Sequence, residues 1–193
     1  MRRRLLDLYN YFLSPIPFGL GRRFKVPFLR LAGVLIGRDC VVSPRVEIRG
    51  SGRLTIGDRV CIGRGVVIEV GVKGVVTIGN DSEINERTLL SANGGSKIHV
   101  EEGVHIAHFV SLKTATHALC PGDSSIAGDD EYKDISVGRG AWICAGSIIL
   151  PGVRIGARSV VAAGAVVTKD TPEDALVCGV PAVAKKYYVG NET

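Results

Sequence analysis

Between Ile135 and Val167 the chain reads ISVGRGAWICAGSIILPGVRIGARSVVAAGAVV, and large aliphatics fall at Val137, Ile143, Ile149, Ile155, Val161 and Val167. The step is six throughout. Two residues before each lies a second ladder of mostly small residues: Ile135, Ala141, Ser147, Val153, Ser159 and Ala165. A helix repeats every 3.6 residues and a simple strand every two, so neither generates this spacing. A fixed short repeat does so when each unit is one short strand plus a corner, stacked into a β-helix. Three units close a triangular coil, which places residues eighteen apart one above another at roughly 4.8 Å.

The same register extends backwards. Coil one carries Ile36, Val42 and Ile48; coil two carries Ile56, Ile62 and Ile68. Coil three has Ile78, Ile84 and Leu90, coil four Val100, Ile106 and Leu112, and coils five and six are the stretch above. Steps within a coil are all six, whereas those between coils are 8, 10, 10, 25 and 6. Every insertion therefore falls at one corner of the triangle. Twenty-five glycines in 193 residues fit corners that need positive φ or that a Cβ would crowd. The expected fold is all-β, a parallel β-helix of about six coils spanning 35–170. Residues 1–34 form a basic, apolar helical cap and 171–193 a capping tail.

In 1–34, Leu5, Leu8, Tyr9, Phe12 and Leu13 lie at helical spacing, which predicts a short amphipathic helix ending before Pro15. A second apolar and basic piece runs from Phe24 to Val34. Such pieces cap the open end of a solenoid, or alternatively dock on an anionic membrane surface. The net charge of +5 is concentrated here, at Arg2, Arg3, Arg4, Arg22, Arg23, Lys25 and Arg30. No basic stripe interleaved with aromatics follows along the body, so nucleic acid is not an expected partner. Five cysteines, odd in number and without CxxC spacing, fit reduced thiols in a cytoplasmic protein. Prolines and arginines interrupt every long apolar run, so neither a membrane span nor a signal peptide is expected.

The longest excursion, about 113–134, is polar and rich in Gly and Asp, and reads as a functional loop. His117 opens it, and a neutral imidazole is the natural general base near neutral pH. His99, eighteen residues earlier, is expected one coil away at the same corner; His99, His105 and His108 are read as non-catalytic. After Val167 the step breaks, Pro172 and Pro181 mark turns, and Ala182 to Tyr188 is expected to be a helix or strand closing the last coil.

The hexapeptide ladder, SLKTATHALCPG, KDISVGRGAWICAGSIILPGV and the terminal VVTKDTPEDALVCGVPAVAKK resemble the left-handed β-helix acyltransferases. The similar group is the sugar O-acetyltransferases of the maltose and galactoside type, with relatives in cell-surface polysaccharide assembly; the match covers about 35–186. The resemblance implies a left-handed coil, a homotrimer with sites between subunits, and acetyl-CoA as donor, with no metal. It implies His117 as catalytic base and Asn85 as a contact to the saccharide acceptor. Ala145 and Ala163 match positions whose backbone meets the pantetheine arm, Thr168 and Lys169 the TKD motif near the nucleotide, and Lys186 a basic tail residue there. Trp142 is read as a packing residue. Cys144 stands where glycine is usual, Val183 where a basic residue is common, and Ala118 where many relatives have proline. O-acetylation of a glycan sugar is the expected reaction, with N-acetylation of an amino sugar as alternative. A γ-carbonic anhydrase-like zinc protein is disfavoured by histidine gaps of 6, 3 and 9, and a non-catalytic scaffold by the loop and TKD.

Overall fold

The computed structural model describes residues 2–121 and 127–188, with side chains omitted for 18–23. The side chains of Arg22 and Arg23, the loop tip 122–126 and the end of the tail therefore lie outside the described residues.

Three parallel sheets form the sides of a prism. The first face stacks Leu35–Ile36, Arg53–Ile56, Val75–Ile78, Lys97–Val100, Ile135–Val137 and Arg154–Ile155. The second face stacks Val41–Val42, Cys61–Ile62, Glu83–Ile84, His105–Ile106, Trp142–Ile143 and Val160–Val161. The third stacks Glu47–Gly50, Val67–Val70, Leu89–Ala92, Ser111–Lys113, Ile148–Ile149 and Val166–Val167. The step of six is the geometric repeat: Ile36 pairs with Ile56, Ile62 with Ile84, Leu112 with Ile149, and Val137 with Ile155. All eighteen expected aliphatics are buried, from 0 to 9% exposed, because every rung turns the same position inward. The small ladder is buried beside them, and Ser147 and Ser159 satisfy their hydroxyls on the corner carbonyls of Cys144 and Gly156, each at 2.8 Å.

Glycine serves these corners in two distinct ways. At Gly79 an added Cβ would lie 2.6 Å from the Glu101 carbonyl carbon of the next coil, so only hydrogen fits. At the corner from second to third face the left-handed position is held by Gly65, Gly146 and Gly164, but also by Arg45, Arg87 and Phe109. Positive φ there is a property of the corner, and glycine is one way of meeting it.

Two helices cover the first coil: α1 (Arg2–Leu8), continued by a π-helical turn Tyr9–Leu13, and α2 (Phe18–Leu31). The first ends before Pro15 as the spacing predicts; the second begins six residues earlier than Phe24 and carries Pro27 within it. Leu6, Tyr9, Leu29, Ala32 and Val34 join the solenoid core. Their neighbours complete the backbone of coil one, which has no rung beneath it. Asn10 donates from Nδ2 to the Ile48 carbonyl (2.8 Å) and accepts the Ile48 N–H on Oδ1 (3.0 Å). Ser14 donates to the Val46 carbonyl at 2.6 Å, and Arg30 Nε to the Ile36 carbonyl at 3.0 Å. Asn10→Ala leaves both Ile48 groups unpaired under the helix. Each orphaned group costs about 1–3 kcal/mol, so the urea midpoint falls measurably with little change in slope.

At the other end, Ala175–Gly179 adds to the second face in parallel with Val160–Val161, and Ala182–Tyr187 folds back antiparallel on it. The expected closing element is thus a strand, reached through a turn at Pro181.

Candidate active site

The described residues of the 113–134 excursion carry regular structure that its composition does not indicate. Ala115–Leu119 and Ala127–Tyr132 pair antiparallel as a hairpin projecting from the corner between third and first faces. Its base is knotted to the solenoid by buried Thr114. The Thr114 Oγ1 accepts from Ser96 Oγ at 2.6 Å and from the Asn93 N–H at 3.2 Å, and its own N–H reaches the Ser91 carbonyl. Asp134 closes the return, accepting the Lys97 N–H at 2.7 Å.

His117 stands directly across the hairpin from Asp130, with Nδ1 3.1 Å from Oδ1. A carboxylate only accepts, so the neutral ring can donate to it only as the tautomer with its hydrogen on Nδ1, which leaves the Nε2 lone pair free. The imidazole is 61% exposed. Asp130 also receives a hydrogen bond from Tyr132 Oη at 2.9 Å on Oδ2; that bond, with Asp130's charge, pushes the phenol's pKa up. Sequence reading missed Asp130 and Tyr132. The signal that could have found them is the hairpin pairing, which sets residue 117 opposite 130.

Insertion of the hairpin corrects one expectation. His99 is paired with Thr77 below and Ser136 above, because coil five resumes only at Ile135; His117 is not stacked on it. His99 lies on the outer first face, in a cavity of about 690 Å³ shared with Lys97, Tyr132, Lys133, Asp134 and Arg154. Lys133 and Arg154 there are already matched by Glu131 and Asp170. His105 makes a second imidazole–carboxylate pair, 3.4 Å from Glu83, on the flat second face.

Asn85, Ala145 and Ala163 come together at one corner, between second and third faces, in coils three, five and six. The corner is continuous: Phe109 N–H donates to the Glu86 carbonyl, Gly146 to His108, and Gly164 to Ala145, at 2.9, 3.0 and 2.9 Å. Cβ atoms added at Gly146 and Gly164 would meet nothing within 4 Å, so the surface beside the two alanines is open. Thr168 and Lys169 follow the last rung of the third face, both exposed. Lys186 is on the returning strand, its Nζ 6.0 Å from the Tyr188 ring centre. Trp142 departs from the packing role: it is 52% exposed on the second face, level with His105. Within one chain, His117 and the Asn85–Ala145–Ala163 corner occupy different edges of the prism.

The three stacked faces and the sixfold step define a hexapeptide-repeat protein. The family model "Bacterial transferase hexapeptide (six repeats)" matches residues 134–169, the stretch of strictest repeat. Among curated relatives, galactoside O-acetyltransferase of Lactococcus lactis is 42% identical over 77 residues, 40% of this chain and 37% of that protein. The putative colanic acid biosynthesis acetyltransferase WcaF of Escherichia coli is 29% identical over 170 residues, 88% of this chain and 78% of the relative. The chain spans less than half the length of the first curated relatives it matches. Among solved structures, a hexapeptide-repeat acetyltransferase of Vibrio cholerae complexed with acetyl-CoA superposes with a TM-score of 0.69 at 25% identity, covering 98% of this chain and 88% of that one.

Proposed function

We propose that this protein transfers an acetyl group from acetyl-CoA to a hydroxyl of a saccharide, with His117 as general base. The observation that carries the reading is the His117–Asp130 pair held across the hairpin at 3.1 Å. Nε2 takes the proton of the acceptor hydroxyl as that oxygen attacks the thioester carbonyl carbon. The tetrahedral intermediate collapses, the C–S bond breaks, and the thiolate leaves, regaining the proton from the imidazolium as free thiol. Asp130 stabilises the transient imidazolium and fixes the ring. The saccharide class follows WcaF and the galactoside enzyme, whose names carry sugar substrates.

The donor fits the corner of Ala145 and Ala163, where small side chains leave the backbone approachable, with Lys169 and Lys186 as point charges for its phosphates and Asn85 on the same corner as a contact to the acceptor. Because that corner and His117 lie on different edges of one prism, a second chain has to supply the other half. A homotrimer with sites between subunits meets that requirement. The test is acetyl-CoA-dependent thiol release across a panel of neutral, acidic and amino sugars. Release with a hydroxyl acceptor supports the reading; release only with amino sugars moves it to N-acetylation, and none with any sugar overturns it.

The acceptor is met at the cytoplasmic membrane face. Among the described residues no helix is long and apolar enough to cross a membrane. Tyr11 and Phe12, exposed by 76 and 61%, follow exposed Arg3 and Arg4 on one continuous helical segment, a composition that binds anionic surfaces. Co-sedimentation with phosphatidylglycerol-containing vesicles should fall in a Tyr11→Ser/Phe12→Ser variant and be weak with pure phosphatidylcholine. Deleting 1–34 is the wrong control, because it strips the Asn10 and Ser14 bonds from coil one.

A further inference from the structure

We propose that Tyr132 is a positioning residue, which locks Asp130 in the orientation that fixes the His117 tautomer, and that Gly94 is the seat it needs. This rests on the reading of His117 as base. A lone aspartate on an exposed hairpin has free rotation about its side-chain bonds, and its second oxygen competes for water. Here both oxygens are engaged in opposite directions: Oδ1 by His117 Nδ1 at 3.1 Å and Oδ2 by Tyr132 Oη at 2.9 Å. Tyr132 is itself held. It closes the hairpin opposite Ala115, beside the Lys133 N–H that bonds the Thr114 carbonyl at 2.9 Å. Its ring rests against the turn between Leu89–Ala92 and Lys97–Val100. An added Cβ at Gly94 would lie 2.2 Å from the ring carbon Cδ2, so any larger residue displaces the ring. Adjacent Gly95 has the same left-handed backbone, yet its added Cβ would meet nothing nearer than Lys73 at 3.8 Å. The order of contact is thus rigid coil, ring, carboxylate, imidazole. The projecting hairpin borrows its rigidity from the coil three to coil four turn.

The test separates this role from the base reading. Full-length protein labelled with ¹⁵N-histidine is examined by long-range ¹H–¹⁵N spectra above the imidazole's titration range, with His117 assigned from its absence in His117→Gln. Wild type should show the hydrogen on Nδ1. Tyr132→Phe keeps the ring on Gly94 and removes only the hydroxyl; it should mix the two tautomers and lower kcat roughly tenfold, with the KM for acetyl-CoA unchanged. Gly94→Asn, which tolerates the backbone but fills the seat, should reproduce both effects, and Gly95→Asn neither. A Tyr132→Phe spectrum identical to wild type overturns the proposal, whatever the rate. Full activity in His117→Gln overturns the base reading instead, while the spectra still decide whether Tyr132 holds the pair.

Discussion

Substitution of His117 by alanine is expected to lower acetyl-CoA-dependent transfer by about 10²- to 10⁴-fold, the range for loss of one positioned general base. The remaining rate comes from holding donor and acceptor together, which needs no imidazole. Ala145 and Ala163, proposed to meet the donor, are on another corner, so the KM for acetyl-CoA should change little while kcat falls. Asp130→Asn is the sharper companion. Its amide can donate as well as accept, and a donated bond to Nδ1 would force the ring hydrogen onto Nε2, the nitrogen that must stay bare. His105→Ala serves as the control, since that ring also faces a carboxylate, Glu83 at 3.4 Å, but lies on the flat second face. Single-turnover thiol release with all three variants checks the assignment. Equal losses from His105→Ala and His117→Ala would refute it.

The second large effect is on stability. Ile84 is fully buried at the centre of the stack, with Ile62 below and Ile106 above. Truncation to alanine removes three methyl or methylene groups and should cost about 2–5 kcal/mol, toward the upper end of that range. The walls cannot collapse inward, because the rungs on either side are pinned by backbone bonds such as Cys61 N–H to Ser82 O at 3.1 Å and Glu83 N–H to Val104 O at 2.9 Å. The adjacent Glu83 points outward, and Glu83→Ala should stay within about 0.5 kcal/mol. Urea unfolding of the two variants compares them directly; similar midpoints would contradict the assigned register.

That register was legible before any coordinates because each rung puts one aliphatic inward at a fixed interval, and burial enforces it in all six coils. The corner for insertions was legible for the same reason, since the extra residues interrupt the count in only one place. The hairpin was not. Its strands ATHAL and AGDDEY have no residue in the buried class, so they have no core face and no alternation for a sequence to display. Asp130 was hidden by this, and with it the carboxylate that faces His117 Nδ1. Phe109 and Arg87 were missed as left-handed corner residues because glycine was the expected sign of positive φ. Trp142 looked like a packing residue from its place in a motif, but it occupies an outward rung position.

Confining every extra segment to the edge between third and first faces has an evolutionary corollary. Loops there can lengthen, shorten or be exchanged without shifting the count of any neighbouring rung. The opposing edge, where Gly146 and Gly164 follow the two alanines, leaves no such latitude. On the proposed assignment, His117 and the carboxylate facing it can therefore change with the hairpin while the Ala145–Ala163 corner keeps its shape.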